Sequence, residues 1–154
     1  MKLRLLLCGL AAVAIAIALI VWPSERYNPA NDTQLQEVIA NSSRAAELEA
    51  LMAEIPAEHH KEMAFLLKNM PDFDREEMDL NLLRENVEYA HLAREKYSWA
   101  KRLPEDVYLY DVLPYHVVDE VRDSWRKELY EMFAPAVDTC TTMYDAVCAV
   151  NANI

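Results

Sequence analysis

Three groups of residues have the types and the spacing for chemistry. Glu88-Tyr89-Ala90-His91 is a Glu-x-x-His pair. On a helix this spacing turns a carboxylate and an imidazole to one side, as in di-iron carboxylate bundles. Such a site also takes a second pair and two further inward glutamates. No second Glu-x-x-His exists in the chain, so a solvated helix face is expected. His59-His60, flanked by Glu58 and Glu62, is the second group. Adjacent helical positions point about 100° apart, so the two histidines do not chelate together. His59 and Glu62 do share a side at i, i+3, but two ligands do not complete a metal site. An exposed, charged helix start is expected there. Cys140 and Cys148 form the third group. On one helix they would stand about 12 Å apart, too far for a disulfide. A bridge would require Cys140 to lie in the preceding loop and fold back. Free, mostly buried thiols are the expected state. A catalytic cysteine needs a base, and His59, His60, His91 and His116 have no fixed relation in sequence to either thiol. The reading therefore assigns no catalytic, cofactor-binding or metal-ligating residue, and expects no cofactor.

The feature that most needs positioning is aromatic. Residues 97–133 hold eight of the chain's 14 aromatic side chains: Tyr97, Trp99, Tyr108, Tyr110, Tyr115, Trp125, Tyr130 and Phe133. Large aromatic side chains dominate the energetics of cores and interfaces. Tyr108, Tyr110, Tyr115, His116, Trp125, Arg126 and Tyr130 are thus the candidate packing or interaction residues. Core is the expected role for most of them, with His116 a packed or hydrogen-bonded structural residue. Any exposed part would make a docking face for a partner.

The elements around them read as helices. Asn31 or Asp32 caps a first helix that carries Leu35, Val38, Ile39, Ala46, Leu48, Leu51, Met52 and Ile55 on one stripe. One long helix is expected, kinked at Asn41-Ser42-Ser43, with Ser43 the candidate cap for its second part and Pro56 its end. Pro56 opens the next helix, to about Asn69, which buries Met63, Leu66, Leu67 and Met70. Asp74, with Glu77 three residues on, and Asp79 are candidate caps for a long helix. Leu80, Leu83, Val87, Ala90, Arg94 and Tyr97 then fall on one face to about Lys101. Pro104 takes the first position of a short helix, and Pro114 ends it. Asp119 or Asp123 starts a helix with Trp125 and Leu129 inward and Arg122 and Arg126 outward, which Pro135 breaks or kinks. Thr141 or Thr142 caps the last helix, through Asp145, Val147 and Val150. Nothing alternates at period two. The expected fold class is all-α: an N-terminal transmembrane or signal helix, then a five-to-seven-helix exported domain.

Composition narrows the function. The 154 residues carry a formal net charge of −11. Lys2, Arg4 and Arg26 stand against Glu25 in residues 1–26, which leaves 12 cations and 25 carboxylates beyond, a net −13. That surface repels phosphate backbones, so nucleic acid is not an expected partner. The one glycine is Gly9. Without others, phosphate-cradling loops and tight hairpins lack their usual residue. After Lys2 and Arg4, residues 5–22 are 18 residues without a charge, long enough to span a bilayer. The flanking cations keep the N-terminus inside and export the rest. An uncleaved signal anchor over 1–22 is preferred, a linker over 23–31, and an all-α domain over 32–154. The alternative is a cleaved signal peptide using Ala14-Ile15-Ala16 or Ala16-Ile17-Ala18. Cys8 precedes most of the apolar run and does not read as a lipoprotein cysteine.

From Phe65 onward the chain resembles the N-terminal helical region of bacterial transglutaminase-like, papain-like proteins. The phrases that carry this are FLLKNMPDFD at 65–74, NLLRENVEYAHLARE at 81–95 and WAKRLPEDVYLYDVLPYHVVDEVRDSWRKELYEMF at 99–133. Within the last, Pro104 to Asp106, Leu113 to Tyr115, Glu120 or Asp123, Trp125-Arg126 and Tyr130 are the matching points. His116 stands where members of that family often have arginine, so the ionic contact of an arginine is not implied. The resemblance implies a region that precedes a Cys-His-Asp catalytic core, and it carries no catalytic residue onto this chain. It implies a membrane-anchored, extracytoplasmic helical domain, non-catalytic alone, packing against a downstream transglutaminase-like domain or partner protein. The alternative is a free-standing helical module that binds a protein or peptide.

Overall fold

The structure, a computed structural model, describes residues 27–114 and 125–154. The expected membrane or signal segment lies outside the described residues. So do Tyr115, His116, Asp119 and Asp123. Among the described residues no helix is long and apolar enough to cross a membrane.

Every described regular element is helical. After a short 3-10 turn at Pro29–Asn31 come α1 (Thr33–Asn41) and α2 (Ala45–Glu54). A second 3-10 turn, Ala57–His59, leads into α3 (His60–Asn69). Then follow α4 (Asp72–Glu77), α5 (Leu80–Lys96), α6 (Glu105–Val107), α7 (Trp125–Val137) and α8 (Met143–Asn151). All-α is thus the fold class, with eight α-helices among the described residues where five to seven were expected.

Local signals place several ends. Asp32 caps α1 with Oδ1 on the Leu35 N–H at 3.0 Å, while Oδ2 accepts from Lys68 Nζ and Tyr27 Oη, each at 2.6 Å. Asp79 caps α5 through the Asn81 N–H at 2.8 Å. Thr142 caps α8, its Oγ1 accepting the Asp145 N–H at 3.1 Å. Each places an acceptor on N–H groups that a helix start leaves unpaired.

Other ends differ from expectation, because distant partners set them. The long first helix is two helices. Ser42 leaves α1 as extended backbone, and its hydroxyl donates to Glu76 Oε1 at 2.8 Å. Glu76 also takes the Ser43 N–H at 3.2 Å and the Ser43 hydroxyl. Ser43 therefore does not cap α2. Arg44 holds that place and sends Nη1 to the Met78 carbonyl at 2.8 Å. Asp74 is no cap either. α4 already starts at Asp72, behind Pro71, and Asp74 is buried within it. α5 stops at Lys96, short of Lys101, because Tyr97 turns inward. Its ring stacks on Trp99 at 5.1 Å and its hydroxyl donates to Asp138 at 2.8 Å. Pro104 stands one residue before α6, and the chain widens into a π turn over Tyr108–Val112 before Pro114. Pro135 neither ends α7 nor opens a gap beyond it. The helix runs to Val137, and the Asp138 N–H reaches the Ala134 carbonyl at 2.9 Å. A proline lacks one N–H, and this one lies exposed in the last turn.

Packing gives two cores. Fifteen buried residues between α1 and α5, together with Tyr108 and Leu113, form the first. Of the expected first stripe, Val38 is half-buried and Ala46 exposed, while the other six residues are buried. The second core has four buried residues, Tyr97, Ala100, Val137 and Ala146, where α7 and α8 meet the end of α5. α5 contributes to both.

Candidate functional site

The second core is incomplete, and the candidate site lies there. A cavity of about 460 Å³ is walled by α5 (Tyr89, Ala90, Ala93, Arg94), the segment from Trp99 to Val112, and α7. A neighbouring cavity of about 330 Å³ lies between α5, α7 and α8. The two share Ala93, Trp99, Tyr130 and Met143 as walls. Around them, apolar side chains stand in solvent. Met132 is 63% exposed, Tyr144 77% and Val147 52%.

Tyr108 stands at the inner wall. It is fully buried, and Arg94 lies over its ring at 4.1 Å. Burial, with the Glu62 carboxylate adding to it, pushes the phenol pKa up. Its hydroxyl has no hydrogen-bond partner among the described residues, nor has Trp99 Nε1. The Arg94 guanidinium also reaches Glu105 at 2.5 Å, and Lys61 meets the same carboxylate at 2.8 Å.

Arg126 was expected to point outward and does not. Its Nη2 donates to the carbonyls of Val112 at 3.1 Å and Pro114 at 2.9 Å. Burial lowers its pKa. Asn86 Nδ2 adds a bond to the Leu113 carbonyl at 2.7 Å. Three successive carbonyls at the end of the π turn are thereby paired, which a helix end requires when it is covered.

The expected site residues therefore separate. Tyr108, Arg126 and Tyr130 come together around one cavity. Tyr130 also packs against Tyr89, with ring centroids 5.3 Å apart. Tyr110 is on its own, 64% exposed, with its ring edge-on to Phe65 at 4.8 Å. Trp125 opens α7. Tyr115 and His116 lie outside the described residues. Leu129, expected inward, is 41% exposed.

The histidine–carboxylate groups also move. The expected exposed helix start is partly an interior. Glu62 is buried, and its Oε1 meets His91 Nδ1 at 3.1 Å. His59 approaches the same His91, ring centroids 4.7 Å apart. Burial, then His91, lowers the pKa of His59. Members of two separate motifs thus meet across the α3–α5 contact, while Glu88 stays exposed. A signal was present in the sequence: Glu62 lies one turn before Leu66, on the face the α3 stripe buries. No group of three or more His, Cys, Asp or Glu among the described residues is placed to hold a metal ion. The thiols offer no nucleophile paired with a base. Both are free; Cys140 is half-buried beside the second core and Cys148 is exposed on α8, not buried as expected.

Comparison with protein-family models, with curated proteins and with solved structures gives no match for this chain.

Proposed function

We propose that the chain is a non-catalytic helical docking domain, held at the membrane on its extracytoplasmic side by residues 1–22. The observation that supports docking is the α7–α8 surface. Met132, Met143, Tyr144 and Val147 all stand in solvent beside a core with only four buried residues. Exposed apolar side chains on two neighbouring helices suit an interaction site. The resemblance supplies the partner: a transglutaminase-like core with a Cys-His-Asp set, on the same or a separate polypeptide.

The test pairs the full chain with a papain-like core protein encoded beside it. Binding is expected, and Tyr144→Glu with Val147→Glu is expected to weaken it at least tenfold. Unchanged binding by the double variant would remove the α7–α8 surface from the reading. Binding of short helical peptides instead of any such core would favour the free-standing module.

A further inference from the structure

We propose that His59 is a pH-operated latch: when its imidazole takes up a proton, the 3-10 turn Ala57–His59 and the first turn of α3 come away from α5 while the rest of the first core stays folded. This inference does not rest on the docking surface, which lies on other helices. Geometry carries it. His59 stands directly before α3, and its ring meets that of His91 on α5 with 4.7 Å between centroids. His91 Nδ1 is 3.1 Å from Oε1 of the buried Glu62. An ionised carboxylate only accepts, so that nitrogen carries the hydrogen. The bond fixes the His91 ring and leaves His59 as the ring that can depart. The element that would move is weakly held. None of the three residues of the turn is buried, and no side chain caps either the turn or α3. Segments with few buried contacts open at lower free energy than a core does.

Three effects oppose a proton on His59 while the turn is closed. Half-burial strips water from the imidazolium. The His91 ring lies in contact, where a second positive charge is repelled. His59 also begins a ten-residue helix, whose unpaired N–H groups already carry positive charge. His60, next in the chain, adds to that positive end when protonated. The carboxylates of Glu58 and Glu62 on one side, and of Glu88 on α5, pull the other way, and Glu95 lies within reach of a charge on His91. Lys61 and Arg94, on the two sides of the contact, are both paired with Glu105. Burial, then His91, outweighs the carboxylates and holds the His59 pKa below its usual value. The open state therefore binds the proton more tightly, and its population grows as pH falls below about 6.5. The opening has a consequence beyond the turn. Lys61 lies in the first turn of α3 and meets Glu105 at 2.8 Å, and Glu105 also binds Arg94, which lies over Tyr108. Release of that turn takes one of two cations from the start of α6, beside the wall of the larger cavity.

The test is amide hydrogen exchange of the full chain in a neutral maltoside detergent, followed from about pH 7.5 to about pH 5, the range in which histidine changes charge. Protection factors, which remove the intrinsic effect of pH on exchange, are compared for two segments. Amides from His59 to Ala64 report the turn, and those from Leu48 to Ile55 report α2 as the control. Protection of the turn is expected to fall about tenfold across that range, with less than about a twofold change in α2. In His59→Gln the turn is expected to keep its protection at both ends of the range. In the wild type alone, an equal fall in both segments would be global unfolding and overturns the proposal, as does no fall in the turn. The same fall in His59→Gln as in the wild type also overturns it, because the proton would then act at His60, His91 or a carboxylate. Nuclear magnetic resonance of the imidazole protons gives the second check: the His59 titration is expected to share its midpoint with the loss of protection, and a midpoint outside that transition removes His59 as the latch.

Discussion

The first core and the second are built from the same helix and differ in completeness. α5 sends Leu83, Val87 and Ala90 into a cluster of seventeen buried residues. One turn further on it meets a cluster of four. The first is closed by polar contacts that cross it. Arg75 is buried and donates to the carbonyls of Leu67 at 3.0 Å and Met70 at 3.1 Å, and Arg44 and Glu76 bind α2 to α4. The second is closed on one side only, by Tyr97 with Asp138 and by Lys96 with Asp138 at 2.5 Å. Its other side is cavity and exposed methionine. The difference teaches that the first core is closed by its own side chains, whereas the second leaves apolar surface in solvent.

The largest expected effect tests that contrast directly. Leu67→Ala, at a position with no exposure, should cost about 2–5 kcal/mol. Val137→Ala should cost about 1–2 kcal/mol. Guanidinium unfolding followed by far-UV dichroism would measure both, and equal costs would break the comparison. Arg75→Met should follow, at about 1–3 kcal/mol in total for the two carbonyls left without their donor. A cost below about 0.5 kcal/mol would mean that water replaces those bonds.

Acid should act on the first core. Burial alone would raise the pKa of Asp32, but the bonds from Lys68, Tyr27 and the Leu35 N–H outweigh it and bring it to about 2 from 3.8. A depressed carboxyl contributes stability that is complete above its unfolded value and is lost as pH falls through its folded one. Stability should therefore decline between about pH 4 and pH 2. Asp32→Ala should flatten that decline and cost about 0.5–2 kcal/mol at neutral pH, through the lost cap. His59 should add a smaller step. Its folded pKa lies below its unfolded one, so stability should fall as pH drops below about 6.5. His59→Gln should remove that step. The smallest effect should be Tyr144→Ser, within about 0.5 kcal/mol. Thermal unfolding would read it, and a larger loss would place Tyr144 in the second core instead of outside it.

What was legible in the sequence was local. Met63, Leu66, Leu67 and Met70 announce a buried stripe, and all four are buried. Pro56, Asp79 and Thr142 mark helix ends through their own backbone or side chains. The break at Ser42 was visible only as a weak spot, since the group that holds it open, Glu76, is 34 residues away. The meeting of Glu62 with His91, across 29 residues, was likewise not readable from either motif alone. Within the site, aromatic density pointed to Tyr108 and Tyr130. The inward turn of Arg126 depends on carbonyls 12 and 14 residues earlier. Trp99, counted among the aromatics, proved to be one of four wall residues that both cavities share.

None of the described residues takes a positive φ. Helices α1 to α5 end instead as extended backbone, with ψ of 143° at Ser42, 150° at Ile55 and 151° at Met70. Past Gly9 the chain has no glycine, so no residue there carries the added freedom that glycine must surrender on folding, roughly 0.5–1 kcal/mol relative to alanine in a helix. Some of this small bundle's stability thus resides in the stiffness of its denatured chain. A survey of native contacts would never register it.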